Sequence, residues 1–186
     1  MSFNKIHLVL VIISISILFA PTTHAVGTIE TRLLNMCKTT TNPSLCYKTI
    51  LPQALVTPKF NMYRALEIEI QATQVQVLKT ATSIATLLWK SASNKDIADS
   101  LTICKSQYRN IVEAVTESVS LVSKRNVGEA RFKFSAVISY YLACKESFEE
   151  GQITSPIAAD AQVVHDLSGN CLDLMKAIED KGRKTY

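Results

Sequence analysis

Residues 104–144 read CKSQYRNIVEAVTESVSLVSKRNVGEARFKFSAVISYYLAC, with a cysteine at each end. Apolar residues recur at steps of three and four on both sides of Lys124-Arg125-Asn126. Before the triplet they are Cys104, Tyr108, Ile111, Val115, Val119 and Val122. After it they are Val127, Ala130, Phe134, Val137, Tyr141 and Cys144. Each series is the apolar face of an amphipathic helix, and the polar triplet is the break between them. Cys104 stands 20 residues before Lys124 (124 − 104) and Cys144 stands 20 after it (144 − 124). In an antiparallel hairpin the two therefore reach the same height, a register that permits the Cα separation of under about 7 Å that a disulfide requires.

The same spacing extends outward in both directions. The first of these helices begins near Asp96, with Ile97 and Leu101 on its stripe, and the second runs to Glu149 through Phe148. A preceding helix, Arg64 to Lys90, carries Leu66, Ile70, Thr73, Val77, Ala81, Ile84 and Leu88. A last helix follows Pro156, with Ile157, Ala161, Val164, Leu167, Cys171, Leu174 and Ile178. Breaks fall at Ser91–Lys95, Lys124–Asn126 and Gly151–Pro156. Asn94 and Ser155 are expected as caps, and Pro156 at a first helical position. Four helices of similar length with short connections predict an all-α, up-down-up-down four-helix bundle over residues 64–180.

Ahead of the bundle, residues 26–63 predict a disulfide-linked helical hairpin and a linker. Ile29–Met36 and Leu45–Leu51 look helical, and Thr39–Pro43 turns between them, because Pro43 disfavours helix at its predecessor. Cys37 and Cys46 bracket that turn and staple two pieces too short to hold themselves together. Residues 1–25 read as a secretory signal peptide, with Lys5, an apolar run from Ile6 to Ala20, Pro21, and small residues up to Ala25. Removing them leaves 186 − 25 = 161 residues, enough for one domain with its own core. Secretion implies an oxidising compartment, where cysteines form disulfides.

Five cysteines lie beyond residue 25. The last connection turns near Ile153, so Cys144 is 9 residues before it and Cys171 is 18 after it. An offset of nine residues is roughly 13 Å along a helix. The expected pairs are therefore Cys37–Cys46 and Cys104–Cys144, with Cys171 a buried free thiol. In the chain-entropy model these bridges contribute roughly 3 and 4 kcal/mol.

The composition argues against catalysis. Beyond the leader there is one histidine, His165, and with five glycines in the whole chain there is no phosphate-cradling loop. No metal-ligand cluster and no cofactor motif is present in the sequence. His165 and Cys171 are six residues apart, on different helix faces. The carboxylate pairs Glu67/Glu69 and Glu149/Glu150 do not converge on one site and are expected to be solvated. The formal charge of +4 falls to +3 without Lys5, too small and dispersed for nucleic-acid binding. The dense basic run lies in a tail, residues 181–186, expected to be a frayed end. Binding, not chemistry, is the expected function.

The cysteine framework with asparagine-proline inside the first loop (Cys37-KTTTNPSL-Cys46), the Phe134-Ser135-Ala136-Val137 stretch, Ile153-Thr154-Ser155-Pro156-Ile157 and Leu167-Ser168-Gly169-Asn170-Cys171 resemble the plant invertase and pectin methylesterase inhibitors. The resemblance implies a single inhibitor domain over 26–180 and the same disulfide pairing. It implies a secreted, non-catalytic protein of the cell wall (apoplast) or vacuole that takes no cofactor and covers the active-site cleft of pectin methylesterase or of acid invertase. A monomer or weak dimer is expected, with no membrane association after leader removal. Invertase inhibitors commonly carry proline-lysine-phenylalanine near the start of the third bundle helix. Here those positions hold Val127-Gly128-Glu129, and Pro58-Lys59-Phe60 falls in the linker, which favours pectin methylesterase. A secreted binding protein without inhibitory activity is the further alternative. The polar faces of the second and third bundle helices form the expected docking surface, with Lys105, Arg109, Asn126, Arg131 and Lys133 as its contact residues.

Overall fold

The computed structural model describes residues 27–91 and 93–183, which are helical apart from the connections between helices. The leader read from residues 1–25 lies outside them. A first helix, α1 (27–37), and α2 (Pro43–Ala54) make the hairpin. The bundle is α3 (Met62–Lys90), α4 (Lys95–Ser123), α5 (Val127–Glu150) and α6 (Ala158–Arg183). Each bundle helix packs on the next, α6 closes back on α3, and α2 lies against α3 and α6. The hairpin therefore covers one side of the bundle and leaves the α4–α5 side open. No described helix is long and apolar enough to cross a membrane.

Asparagine starts four of these helices. The Oδ1 atoms of Asn42, Asn61, Asn94 and Asn126 accept from the backbone N–H of Leu45, Arg64, Ile97 and Glu129 at 3.1, 3.1, 3.3 and 3.4 Å. Each satisfies a donor that the first helical turn leaves unpaired. The last helix departs from expectation. Pro156 and Ile157 form a turn, with Ala158 N–H donating to the Ser155 carbonyl at 3.3 Å, and α6 begins at Ala158 rather than at Pro156. This turn carries Ile157 into the core.

The turns on either side of α5 share one geometry. Asn126 N–H donates to the Leu121 carbonyl and Arg125 N–H to Val122; Ile153 N–H donates to Phe148 and Gln152 N–H to Glu149. Both are paired closures in which the residue just past the cap is left-handed. Arg125 (φ 61°) and Gln152 (φ 52°) hold that conformation without being glycine. Gly151, where the break was expected, stays right-handed at φ −74°. Arg125 gains a compensating contact: its guanidinium lies 4.2 Å over the Tyr63 ring at the start of α3.

Most positions of the predicted stripes are core, while Ala81, Leu88, Ile97 and Val119 are half-buried at its edge. Leu66, Val77, Ile84, Leu101, Ile111, Phe134, Val137 and Leu174 are all buried. Cys104 and Cys144 are bonded at a Cα separation of 4.5 Å, Cys37 and Cys46 at 5.7 Å, and Cys171 is a buried free thiol. Two boundaries run further than expected. Helix α2 continues through Pro52 to Ala54. Helix α6 continues through Lys181 to Arg183, so the described part of the tail is helical rather than frayed. Cations near a helix C-terminus are favourable, and Arg183 is ion-paired with Asp180.

Candidate functional site

Two regions concentrate polar side chains, one under the hairpin and one on the open α4–α5 side. The first begins at the hairpin turn, where Thr41 N–H and Oγ1–H donate to Asp173 Oδ2 at 2.7 and 2.8 Å. Asn42 N–H donates to Asn170 Oδ1 at 2.7 Å, and Asn42 Nδ2–H to Asp166 Oδ2 at 2.9 Å. Asn170 then donates from Nδ2 to the Asn42 carbonyl at 3.2 Å and to Glu69 Oε1 at 2.8 Å. Gly169 permits this approach: a Cβ there would lie 2.4 Å from Thr41 Oγ1 and 2.7 Å from Thr41 Cβ. Hairpin on one side and bundle on the other bury the whole run Leu167–Cys171.

Glu69 is at the bottom of this cluster, fully buried. The expectation that it is solvated fails, because docking of α6 and the hairpin closes over it; Glu67, two positions away, is half-exposed and pairs with Arg64 at 2.8 Å. Burial pushes the Glu69 carboxyl up to about 7, against the opposing hydrogen bond from Asn170, and Oε2 has no partner among the described residues. Asp166 goes the other way. Burial raises it, but hydrogen bonds from Asn42, His165 and Gln162 outweigh that and hold it below the usual carboxylate range. Cys171 Sγ lies 3.4 Å from Thr73 Oγ1, and burial, with the Glu69 charge beside it, pushes its thiol well up. A thiol this buried and this reluctant to ionise is no nucleophile. His165 is instead spoken for by Asp166 Oδ1 at 3.2 Å and by the Tyr141 ring at 4.9 Å between centroids. The cluster is a latch that ties the hairpin to α6 and α3.

The open side is a surface. A shallow groove of about 230 Å³ runs between α4 and α5, lined by Asn110, Glu113, Glu117, Lys133, Ala136 and Tyr140. Lys133 Nζ and Glu117 Oε2 bridge it at 3.2 Å. The five residues expected as contacts do not gather on it. Lys133 lines the groove. Arg131, two positions away and hence on another face, turns to α6 and pairs with Glu179 at 2.7 Å. Asn126 is occupied as the α5 cap, with Nδ2 also donating to Glu129 Oε2 at 2.6 Å. Lys105 and Arg109 are exposed one turn apart on α4, outside the groove. Phe132 was not expected at all. It is 76% exposed and shares a face with Ala136, one turn along. Its signal in the sequence is an aromatic side chain that falls off the apolar stripe, beside Phe134 which falls on it.

Among the described residues no group of histidine, cysteine or carboxylate side chains could hold a metal ion. The model for plant invertase/pectin methylesterase inhibitors matches residues 32–174, from the hairpin to the last helix. The chain belongs to that family. Members of the plant invertase/pectin methylesterase inhibitor family are inhibitors, not enzymes. Two solved structures share the inhibitor fold: a pectin methylesterase inhibitor from Arabidopsis thaliana, at 14% identity, TM-score 0.60 and coverage of 78% of this chain and 95% of that one, and mutant form A of a pectin methylesterase inhibitor from Arabidopsis, at 15%, 0.65, 75% and 92%. No curated protein sequence matches this inhibitor-family chain.

Proposed function

We propose that the protein is a secreted inhibitor of pectin methylesterase that binds the enzyme stoichiometrically and covers its active-site cleft with the α4–α5 side. Family membership over residues 32–174 carries the reading, because it spans both disulfides and the bundle between them. The choice of target is supported by what stands at the start of α5. Val127-Gly128-Glu129 occupies the place where the resemblance would put proline-lysine-phenylalanine in an invertase inhibitor. The Pro58–Phe60 triplet serves the linker instead: Phe60 is buried and its carbonyl accepts from Arg32 at 3.1 Å.

A four-helix bundle locked by a disulfide across α4 and α5 offers a preformed surface, so little ordering entropy is lost on docking. Phe132, Tyr140 and Lys133 provide an exposed aromatic, a half-buried phenol and a charge on that surface, the residue types that anchor interfaces. Residual pectin methylesterase activity, titrated with the oxidised secreted product at mildly acidic pH, tests the proposal. A sharp endpoint at one inhibitor per enzyme is expected. Undiminished pectin methylesterase activity with loss of acid invertase activity would move the target to invertase; no effect on either would leave a secreted binding protein.

A further inference from the structure

The outer face of α3 carries a second periodicity, distinct from the stripe that faces the core. Val75, Leu78, Thr82, Ala85 and Trp89 follow one another at steps of three, four, three and four, the spacing of a coiled-coil contact line. All five are exposed, Trp89 at 87%. The line covers roughly 21 Å of helix at 1.5 Å per residue. Its polar groups are already committed. Thr82 Oγ1–H donates to the Leu78 carbonyl at 2.9 Å and Thr86 Oγ1–H to the Thr82 carbonyl at 3.0 Å. Between Glu69 and Lys90 the helix has one charged residue, Lys79, which Asp160 of the same chain meets at 2.8 Å. At the Val75 end the line runs into a groove of about 430 Å³ between α2 and α3, walled by Leu45, Ile68, Ala72 and Val75. Among the described residues no charged side chain lines that groove.

One helix face thus holds a knob at one end and a hole at the other. Trp89, the one tryptophan of the sequence, is the knob, and the groove beside Val75 is the hole. A two-fold axis through Thr82 exchanges these positions, because 82 + 7 = 89 and 82 − 7 = 75. Trp89 of each copy then meets the groove beside Val75 of the other, and a single symmetry operation seats both, as an isologous interface requires. A line without unpaired charge also meets its own copy without like-charge repulsion. We propose that α3 pairs antiparallel with α3 of a second copy of this chain, closing a two-fold dimer by mutual insertion of Trp89. Two heptads are short for a coiled coil, so the dimer is weak, with a dissociation constant in the micromolar range. Helix α5 lies across the bundle from α3, so the α4–α5 groove stays open in both copies. The pairing does not depend on the function proposed above.

The test is sedimentation equilibrium of the oxidised secreted product from about 1 to about 100 µM, a span around a micromolar dissociation constant, with Trp89 emission read on the same samples. A rise from monomer to dimer mass is expected. The emission should shift to the blue over the same concentrations, because the sole indole leaves water for the groove. Trp89→Ser should weaken the dimer by at least about tenfold, as loss of a buried aromatic anchor does, with an unchanged thermal melt. Thr82→Glu and Thr82→Lys should each be monomeric, because like charges meet at the axis, and an equimolar mixture of the two should regain the dimer. Dimerisation without a blue shift, a Trp89→Ser dimer as tight as wild type, or a mixture of the Thr82 variants that stays monomeric would each overturn the proposal. A monomer mass throughout would overturn it as well; if neutral lipid vesicles alone then shifted the emission, the stripe would belong to a membrane surface.

Discussion

The two sides of the molecule share one apolar core but differ in what is added to it. Between α4 and α5, apolar stripes meet along their length and one disulfide spans a long loop, Cys104 to Cys144. Between the hairpin and the α3–α6 side, the disulfide Cys37–Cys46 closes only a short loop within the hairpin, and buried Leu33, Ile50 and Ala54 join the core beside a polar latch: Thr41 and Asn42 on one part, Asp166, Asn170, Asp173 and Glu69 on the other. A seam built from apolar area and a covalent link is insensitive to proton concentration. A latch whose hydrogen bonds lead down to a buried carboxylate is not. The α4–α5 side can therefore stay constant, as the proposed docking surface requires, while the hairpin side responds to its surroundings.

Breaking the seam should have the largest effect. The loop closed by Cys104–Cys144 spans 40 residues against 9 for Cys37–Cys46. In the chain-entropy model Cys104→Ser with Cys144→Ser should cost about 4 kcal/mol, and Cys37→Ser with Cys46→Ser about 3 kcal/mol. Urea midpoints of the two double variants measure this. A seam variant as stable as the hairpin variant would show that the two regions do not differ in the way described.

Acidity should separate the two sides next. Glu69 is raised from 4.5 to about 7 in the folded chain. Between those values the folded state keeps a proton that the unfolded state releases, so the Glu69 contribution to stability is greatest below about 4.5, falls as pH rises towards 7, and levels off above it, while Asp166, held low, loses its own contribution only at more acidic pH. The full loss is on the order of 3 kcal/mol. Melting temperatures at pH 5 and pH 8 should differ accordingly, and Glu69→Gln, which keeps an acceptor for Asn170 and carries no charge, should remove most of the difference. An equal pH response in wild type and Glu69→Gln would detach the effect from the latch.

The smallest expected effect sharpens the docking surface. Lys133→Glu should weaken inhibition by about tenfold, or roughly 1.4 kcal/mol, because Lys133 lines the α4–α5 groove beside Glu117. Arg131→Glu should leave the inhibition constant nearly unchanged, because that side chain faces Glu179 on α6. Equal losses at both positions would place the contact elsewhere.

Much of this architecture is legible in the sequence for a specific reason. Helical periodicity is a local signal, and the stripes centred on Leu66, Leu101, Phe134 and Leu174 report which face each helix buries without knowledge of what lies opposite. Equal spacing of Cys104 and Cys144 about Lys124 extends that to register. What periodicity misses is contact between distant positions. Glu69 and Asn170 are 101 residues apart, and nothing in the surroundings of Glu69 marks it as different from Glu67. The scatter of Arg131, Lys133 and Asn126 has a related cause: charge and proximity in sequence suggest a patch, but a two-residue step on a helix turns a side chain to another neighbour. Gln152 shows the limit at turns. Glycine is the usual left-handed residue, yet at this turn the hydrogen bonds to Phe148 and Glu149 suffice to hold glutamine there.

The burial of Cys171 also bears on how the disulfides find their partners. In the unfolded chain five thiols compete, and thiolate attack on a formed bridge can shuffle any pair. Once α6 packs against α3, Cys171 lies inside beside Thr73 with its proton held, and it withdraws from that competition. Oxidation that outpaces bundle closure would trap Cys171 in the wrong partnership, so the native pairing is reached fastest when helices assemble first and sulfurs join second.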